Sequence, residues 1–207
     1  MLPAILPLFP LPRVVLFPHA FLPLHIFEPR YRQMTAECLA SHQRFILALT
    51  KAHEGSDLVP ADTPVFETAC LARIVRSEPL PDGRFNLLVQ GQRAVRISEV
   101  PSSHPFRQTT WEPLPFDGES PWRAQDRTAF LECLQQYAAR FDLAPQVKRL
   151  LDLDLDEPLL LNTLAMALDL DPVEKQFVLE AISVHEEAER LRQLLEFALN
   201  DRGLSRD

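Results

Sequence analysis

Up to about residue 116 apolar and polar positions alternate with a period of two, the rhythm of half-buried strands. The runs "RVVLF" (13–17), "RFILALT" (44–50), "ACLARIVRSE" (69–78), "RFNLLVQ" (84–90) and "RAVRISEV" (93–100) are bounded by Pro, Gly and Asp, and each is predicted as a strand. Asp82-Gly83 tolerates the positive φ angles of a tight turn, which predicts an antiparallel hairpin around it. Gly91-Gln92 predicts another turn, and a meander of this spacing suggests a small barrel or curled sheet whose closure hides its edges. One helix interrupts the strands. In "EPRYRQMTAECLAS" Pro29 suits a first helical position, and Tyr31, Met34 and Cys38 make an apolar stripe that should cap one end of the barrel.

Beyond "EPLPFDGESPW" (112–122) the period lengthens to 3.6. Ser120-Pro121 reads as an N-cap followed by a first-turn proline, and Phe130, Leu134, Tyr137, Ala138 and Phe141 share one face of a helix ending near Asp142. Asp171 to Glu174 and Ser183 to Glu186 fit capping boxes. The second opens a helix faced by Val184, Ala188, Leu191, Leu194, Leu195 and Ala198 and closed by Gly203. "LDLDLDEPLLL" (151–161) alternates like a strand, but Pro158 and the residues after it favour a helix start. The fold class is therefore α+β: a β-rich part, 1–117, carrying one inserted helix, then an antiparallel helical bundle, 118–207.

The opening stretch "LPLFPLPRVVLFPHAFLPLHIFEPRYRQM" (6–34) could be a targeting peptide, a proline-rich ligand or rigid structure. No Lys or Arg precedes Arg13, and six prolines interrupt every apolar run, so a signal helix cannot form. Proline-rich ligands are polar between their prolines, whereas Leu, Val, Ile and Phe here call for burial. The prolines are expected to delimit short strands at the sheet rim. No run anywhere reaches the roughly 18 apolar residues of a spanning helix, so no membrane partner is expected.

Charge and composition then remove whole classes of chemistry. A formal net charge of −8 disfavours nucleic acid as a partner, because phosphate binding relies on basic side chains. Cys38, Cys70 and Cys133 are widely spaced and form no Cys-x-x-Cys pair, which fits a reducing cytoplasm. Five glycines cannot build either nucleotide-binding loop, and six histidines include no His-Glu-x-x-His pattern. Cys38 and His42 stand i, i+4 on the expected helix, but two ligands make no closed metal site. Glu28 and Arg30 read as structural, with Glu28 accepting backbone N–H bonds at the helix start and Arg30 or Arg32 pairing with a carboxylate. No catalytic residue, metal or cofactor is assigned, and the protein is expected not to be an enzyme.

The candidate binding residues are aromatic: Phe21 on the opening stretch, with Phe106, Trp111, Phe116 and Trp122 around the change of period. They either join the two parts or form a groove for an apolar client.

These residues carry a resemblance. The opening stretch resembles the start of the Lon protease amino-terminal domain, the LON substrate-binding domain, in a standalone form; Phe27, Glu28, Pro29, Arg30 and Tyr31 are its structural motif. "ACLARIVRSEPLPDGRFNLLVQGQRAVRI" is similar to that family's strand block, and "DPVEKQFVLEAISVHEEAERLRQLLEFAL" to its closing segment. The resemblance implies a pseudo-barrel related to the PUA domain followed by a helical bundle. It implies binding of unfolded or partner polypeptides, with a weak homo-oligomer or second protein supplying avidity. The phosphate loop and Ser-Lys dyad of the full-length protease have no counterpart in these 207 residues, nor does the zinc module of cereblon-like proteins. RNA binding, borrowed from the PUA fold, is the alternative that the acidic balance opposes.

Overall fold

The structure, a computed structural model, describes residues 2–51, 60, 62–117 and 122–200. Ser120, Pro121 and Gly203, expected to cap helices, lie outside the described residues. In chain order come β1 (Ile5–Leu11), β2 (Phe21–Ile26), α1 (Pro29–Leu39), β3 (Arg44–Leu49), β4 (Thr68–Pro79), β5 (Phe85–Val100) and β6 (Arg107–Pro113). Five helices follow: α2 (Ala124–Arg140), α3 (Ala144–Leu151), α4 (Glu157–Ala167), α5 (Pro172–Leu179) and α6 (Val184–Asn200). The chain divides into two compact units. One comprises Met1–Leu114 and Asp169–Glu180, the other Pro115–Leu168 and Ala181–Asp207. The sequence suggests one cut at 117/118, whereas the β-rich unit also takes in a helix from much later in the chain.

In the first unit the strands run β5-β4-β3-β1-β6, and the second half of β5 pairs with β6 to close the ring. The first half of β5 holds β2 as an outer strand, with Phe21 opposite Gln90 and Ile26 opposite Phe85. Closure leaves few ladder groups unpaired, the expected reason for a barrel. Two clusters of buried side chains fill the unit, one around Phe9, Met34, Phe45 and Val89, the other around Leu6, Leu8, Ile46 and Val95.

Two sequence expectations are corrected here. Residues 13–17 form no strand, although Val15, Leu16 and Phe17 are buried. The strand lies earlier, over Ile5–Leu11, and runs through Pro7 and Pro10 rather than being delimited by them. β1 is staggered: residues 5–8 pair with β6 and residues 8–11 with β3, so each proline has a ladder neighbour on one side only. That satisfies the edge rule for proline inside a sheet. Nor does Gly91 turn the chain, since β5 runs unbroken through it, with Gln92 as the extra residue between pairs Leu71–Arg93 and Ala72–Gly91. The Gly91 carbonyl accepts from His19 N–H at 2.8 Å, and its own N–H donates to the Ala20 carbonyl at 2.9 Å. A Cβ there would stand 2.1 Å from the Phe17 carbonyl oxygen, so glycine is required by close approach of a second backbone.

α1 matches its expected span and buries Tyr31, Met34, Thr35 and Cys38. Its capping differs from expectation. The Glu28 side chain caps no N–H; the Glu28 carbonyl accepts from Tyr31 and Arg32 N–H, and the carboxylate pairs with Arg30 at 2.8 Å. Returning to this unit, α5 starts with the expected box, Asp171 N–H donating to Glu174 Oε2 at 2.7 Å. Buried Gln176 then donates to the Thr68 carbonyl on β4 at 2.9 Å, satisfying an acceptor at the start of that strand.

In the second unit α2 begins at Ala124 with Arg123 at the cap position and no side-chain cap, and Phe130, Leu134, Tyr137 and Ala138 are buried as expected. Phe141 is exposed. α4 starts where Pro158 suggests, with the Asp156 carboxylate accepting from Leu159 N–H at 2.9 Å. At α6 the Ser183 hydroxyl accepts from Glu186 N–H at 3.2 Å, while the Glu186 carboxylate reaches back to Ile182 N–H. The apolar stripe of α6 contains one carboxylate, Glu187, 3% exposed. Among the described residues no helix is long and apolar enough to cross a membrane.

Candidate functional site

The chain enters α1 from β2 through Phe27, Glu28 and Pro29. Proline at the first helical turn needs no N–H partner and fixes φ for the helix, so this junction is rigid. Tyr31 plants its ring against Phe9, edge-on at 4.4 Å, and burial pushes its hydroxyl pKa up to about 12. The Arg30 guanidinium lies over the same ring at 4.6 Å and tempers that rise. Phe27, by contrast, is 47% exposed and stacks on His25. Arg84 Nη1 donates to His25 Nε2 at 3.2 Å, and His25 Nδ1 donates to Asn86 Oδ1 at 2.8 Å, tying β2 to the β4–β5 turn.

That turn and α1 bound a groove of about 420 Å³, lined by Pro29, Arg32, Gln33, Ala36, Gly83 and Phe85. Gly83 has φ +81°, the left-handed value the Asp-Gly signal anticipates, and its N–H donates to the Leu80 carbonyl at 2.9 Å. A Cβ on Gly83 would fall 2.1 Å from Arg32 Nη2, so the guanidinium is seated directly on the turn. The groove is a mostly apolar trough with one cation, Arg32, and one amide, Gln33, in its lining.

The aromatic residues singled out from the sequence fall into distinct environments. Phe21 projects from β2, 55% exposed. Phe106 is buried in the barrel core, its ring stacked on His104 at 4.8 Å. Trp111, on β6, packs partly buried against the Leu6 cluster, and its Nε1–H donates to the Pro3 carbonyl at 3.0 Å. Phe116 is exposed in the second unit. Trp122 is 5% exposed, tilted against Phe130 at 5.1 Å in its own unit. Of the candidate aromatics Phe21 and Phe116 are exposed, as are Phe27, Phe141, Phe177 and Phe197. Arg32, Gly83 and Phe85 were not among the sequence candidates; the Asp-Gly turn was the one local signal pointing at them.

Nucleophile chemistry is disfavoured at the thiols. Burial pushes Cys38 and Cys70 up to about 12, and Cys38 Sγ donates to the Arg44 carbonyl at 3.3 Å. His42 Nδ1 accepts from Arg44 N–H at 3.2 Å, with burial and the Arg44 charge holding its pKa down. Both partners of the Cys38–His42 pair are thus occupied locally.

Residues 5–197 match the family model described as ATP-dependent protease La (LON) substrate-binding domain. The chain is 30% identical to Lon protease of Roseiflexus castenholzii over 97% of its own length and 25% of the relative's. It is 27% identical to Lon protease of Escherichia coli K12 over 92% of its length and 24% of the relative's. The chain therefore spans about a quarter of these curated relatives. Among solved structures, a Lon N-terminal domain protein from Xanthomonas campestris superposes with a TM-score of 0.66 at 22% identity, covering 93% of this chain and 98% of that one. The N-terminal domain of the Mycobacterium avium complex Lon protease gives 0.62 at 17%, covering 96% of this chain and all of that one. At such identities the structural likeness speaks for the fold alone, and it is the match running from β1 through most of α6 that makes this chain a member of the LON substrate-binding domain family.

Proposed function

We propose that the protein is a non-catalytic module that holds exposed apolar segments of unfolded or partner polypeptides. The observation that carries this reading is a family match to the substrate-binding part of Lon, joined to an apolar trough beside α1 and to exposed Phe21 and Phe27 on the same unit. Exposed aromatic rings on the unit that carries a shallow groove suit extended chains, which offer side chains rather than a shaped surface. Single contacts of this kind are weak, so a second copy or a partner protein would raise occupancy through avidity. Three buried free cysteines support a reducing compartment, the cytoplasm.

The test is a titration of the protein with a permanently unfolded, labelled polypeptide and with the same polypeptide folded. Saturable binding of the unfolded form alone, weakened by Phe21→Ser with Phe27→Ser, is the expected result. Equal affinity for both forms, or none for either, refutes the reading. Tighter binding of a structured RNA than of any polypeptide would replace it with the nucleic-acid alternative.

A further inference from the structure

The trough beside α1 contains a charge without a counter-charge. Two neighbouring arginines are matched, Arg30 with Glu28 and Arg84 with Asp82. Glu37, one turn beyond Gln33, is engaged by Gln33 Nε2 at 2.9 Å and by His104 Nδ1 at 3.2 Å. Arg32, half-buried, has no hydrogen-bond or ion-pair partner among the described residues. Its guanidinium lies over the bare backbone of Gly83, in space that a Cβ there would take. Pro29, Ala36 and Phe85 line the trough beside it. A half-buried guanidinium whose donors are not engaged is suited to a carboxylate, which it can bind through two parallel bonds.

We propose that this trough takes the carboxylate of an acidic side chain within an otherwise apolar, extended polypeptide, with Arg32 as its anchor. The inference rests on the polypeptide-binding reading above and narrows it: among apolar clients, those with an Asp or Glu inside the apolar run are preferred. Two acids beside the trough, Glu28 and Asp82, are already paired with Arg30 and Arg84.

The probes are two short labelled peptides of identical apolar composition, one with a central Glu and one with Gln, titrated by fluorescence anisotropy against wild type, Arg32→Gln and Arg32→Lys. Wild type should prefer the Glu peptide by about tenfold, the value of one charge-assisted pair at a half-exposed site. Arg32→Gln should lose that preference while keeping its affinity for the Gln peptide, and Arg32→Lys should keep part of it. Rising salt should erode the preference in wild type only. Equal binding of the two peptides by wild type, or an undiminished preference in Arg32→Gln, overturns the anchor and leaves the general reading standing. Failure of both peptides and of unfolded polypeptide together overturns the general reading and the anchor with it. Displacement of the Glu peptide by a structured RNA but not by free glutamate would assign Arg32 to phosphate and overturn the proposal.

Discussion

Glu187 should make this protein progressively less stable as the pH rises from mildly acidic to mildly alkaline. It sits on the buried stripe of α6, 3% exposed, and its Oε1 has no hydrogen-bond partner among the described residues. Burial alone lifts its pKa from 4.5 to about 8. In the unfolded chain the carboxyl ionises near its ordinary value, so between about pH 4.5 and about pH 8 the native state holds a proton that the unfolded state has released. Stability therefore falls with pH across that window, is fully present below it, and levels off above it. A tenfold change in proton affinity is worth about 1.4 kcal/mol, which puts the full loss on the order of 5 kcal/mol. That is a large share of the 5–15 kcal/mol typical of a folded domain. Glu187→Gln keeps the volume and removes the ionisation. Urea unfolding of both proteins at several pH values across the window should show the variant overtaking wild type as pH increases, with the gap closing toward the acidic end. Parallel stability curves for the two would refute the reasoning, because they would mean that the carboxyl is solvated or paired in the native protein.

Two further outcomes follow from backbone and thiol placement. Gly91→Ala should cost more than about 3 kcal/mol or prevent folding, since the new methyl meets a backbone oxygen rather than a movable side chain; urea unfolding of the purified variant measures it. Cys38 and Cys70, pushed up to about 12, should resist alkylation at neutral pH in the native protein and react once it is unfolded, as followed by mass spectrometry with and without urea.

The sequence was legible where local chemistry and final environment agreed. Pro29 with the Tyr31, Met34, Cys38 stripe located α1, and Asp82-Gly83 located the β4–β5 turn, because each signal is complete within a few residues. It misled where tertiary partners decide. β1 is buried on both faces, so it shows no alternation, and its two prolines are tolerated because different neighbours take its two halves. Gly91 looks like a turn but serves the loop that brings Phe17 and His19 against β5, a contact invisible to a local window. β6 has only a Thr-Thr-Trp run that suits a strand, flanked by polar residues and Pro113, too short for a period of two to show. Of the site, the aromatic residues were identifiable by type but not by exposure, and Phe106 and Trp122 prove to be buried. The trough could not be seen at all, since it exists only when Arg32 is folded onto Gly83.

Residues 169–180 have a consequence for how this molecule can be taken apart. The polypeptide finishes its strands, starts the helical unit, returns to lay α5 on β4, and then leaves again to complete α6. It is laced rather than strung, so no single scission yields two whole pieces. A fragment ending at residue 117 would retain every strand yet strand the Thr68 carbonyl without Gln176, and the remainder would carry an orphaned α5 with its apolar side bare. Shortening this protein to its barrel therefore requires grafting residues 169–180 back on.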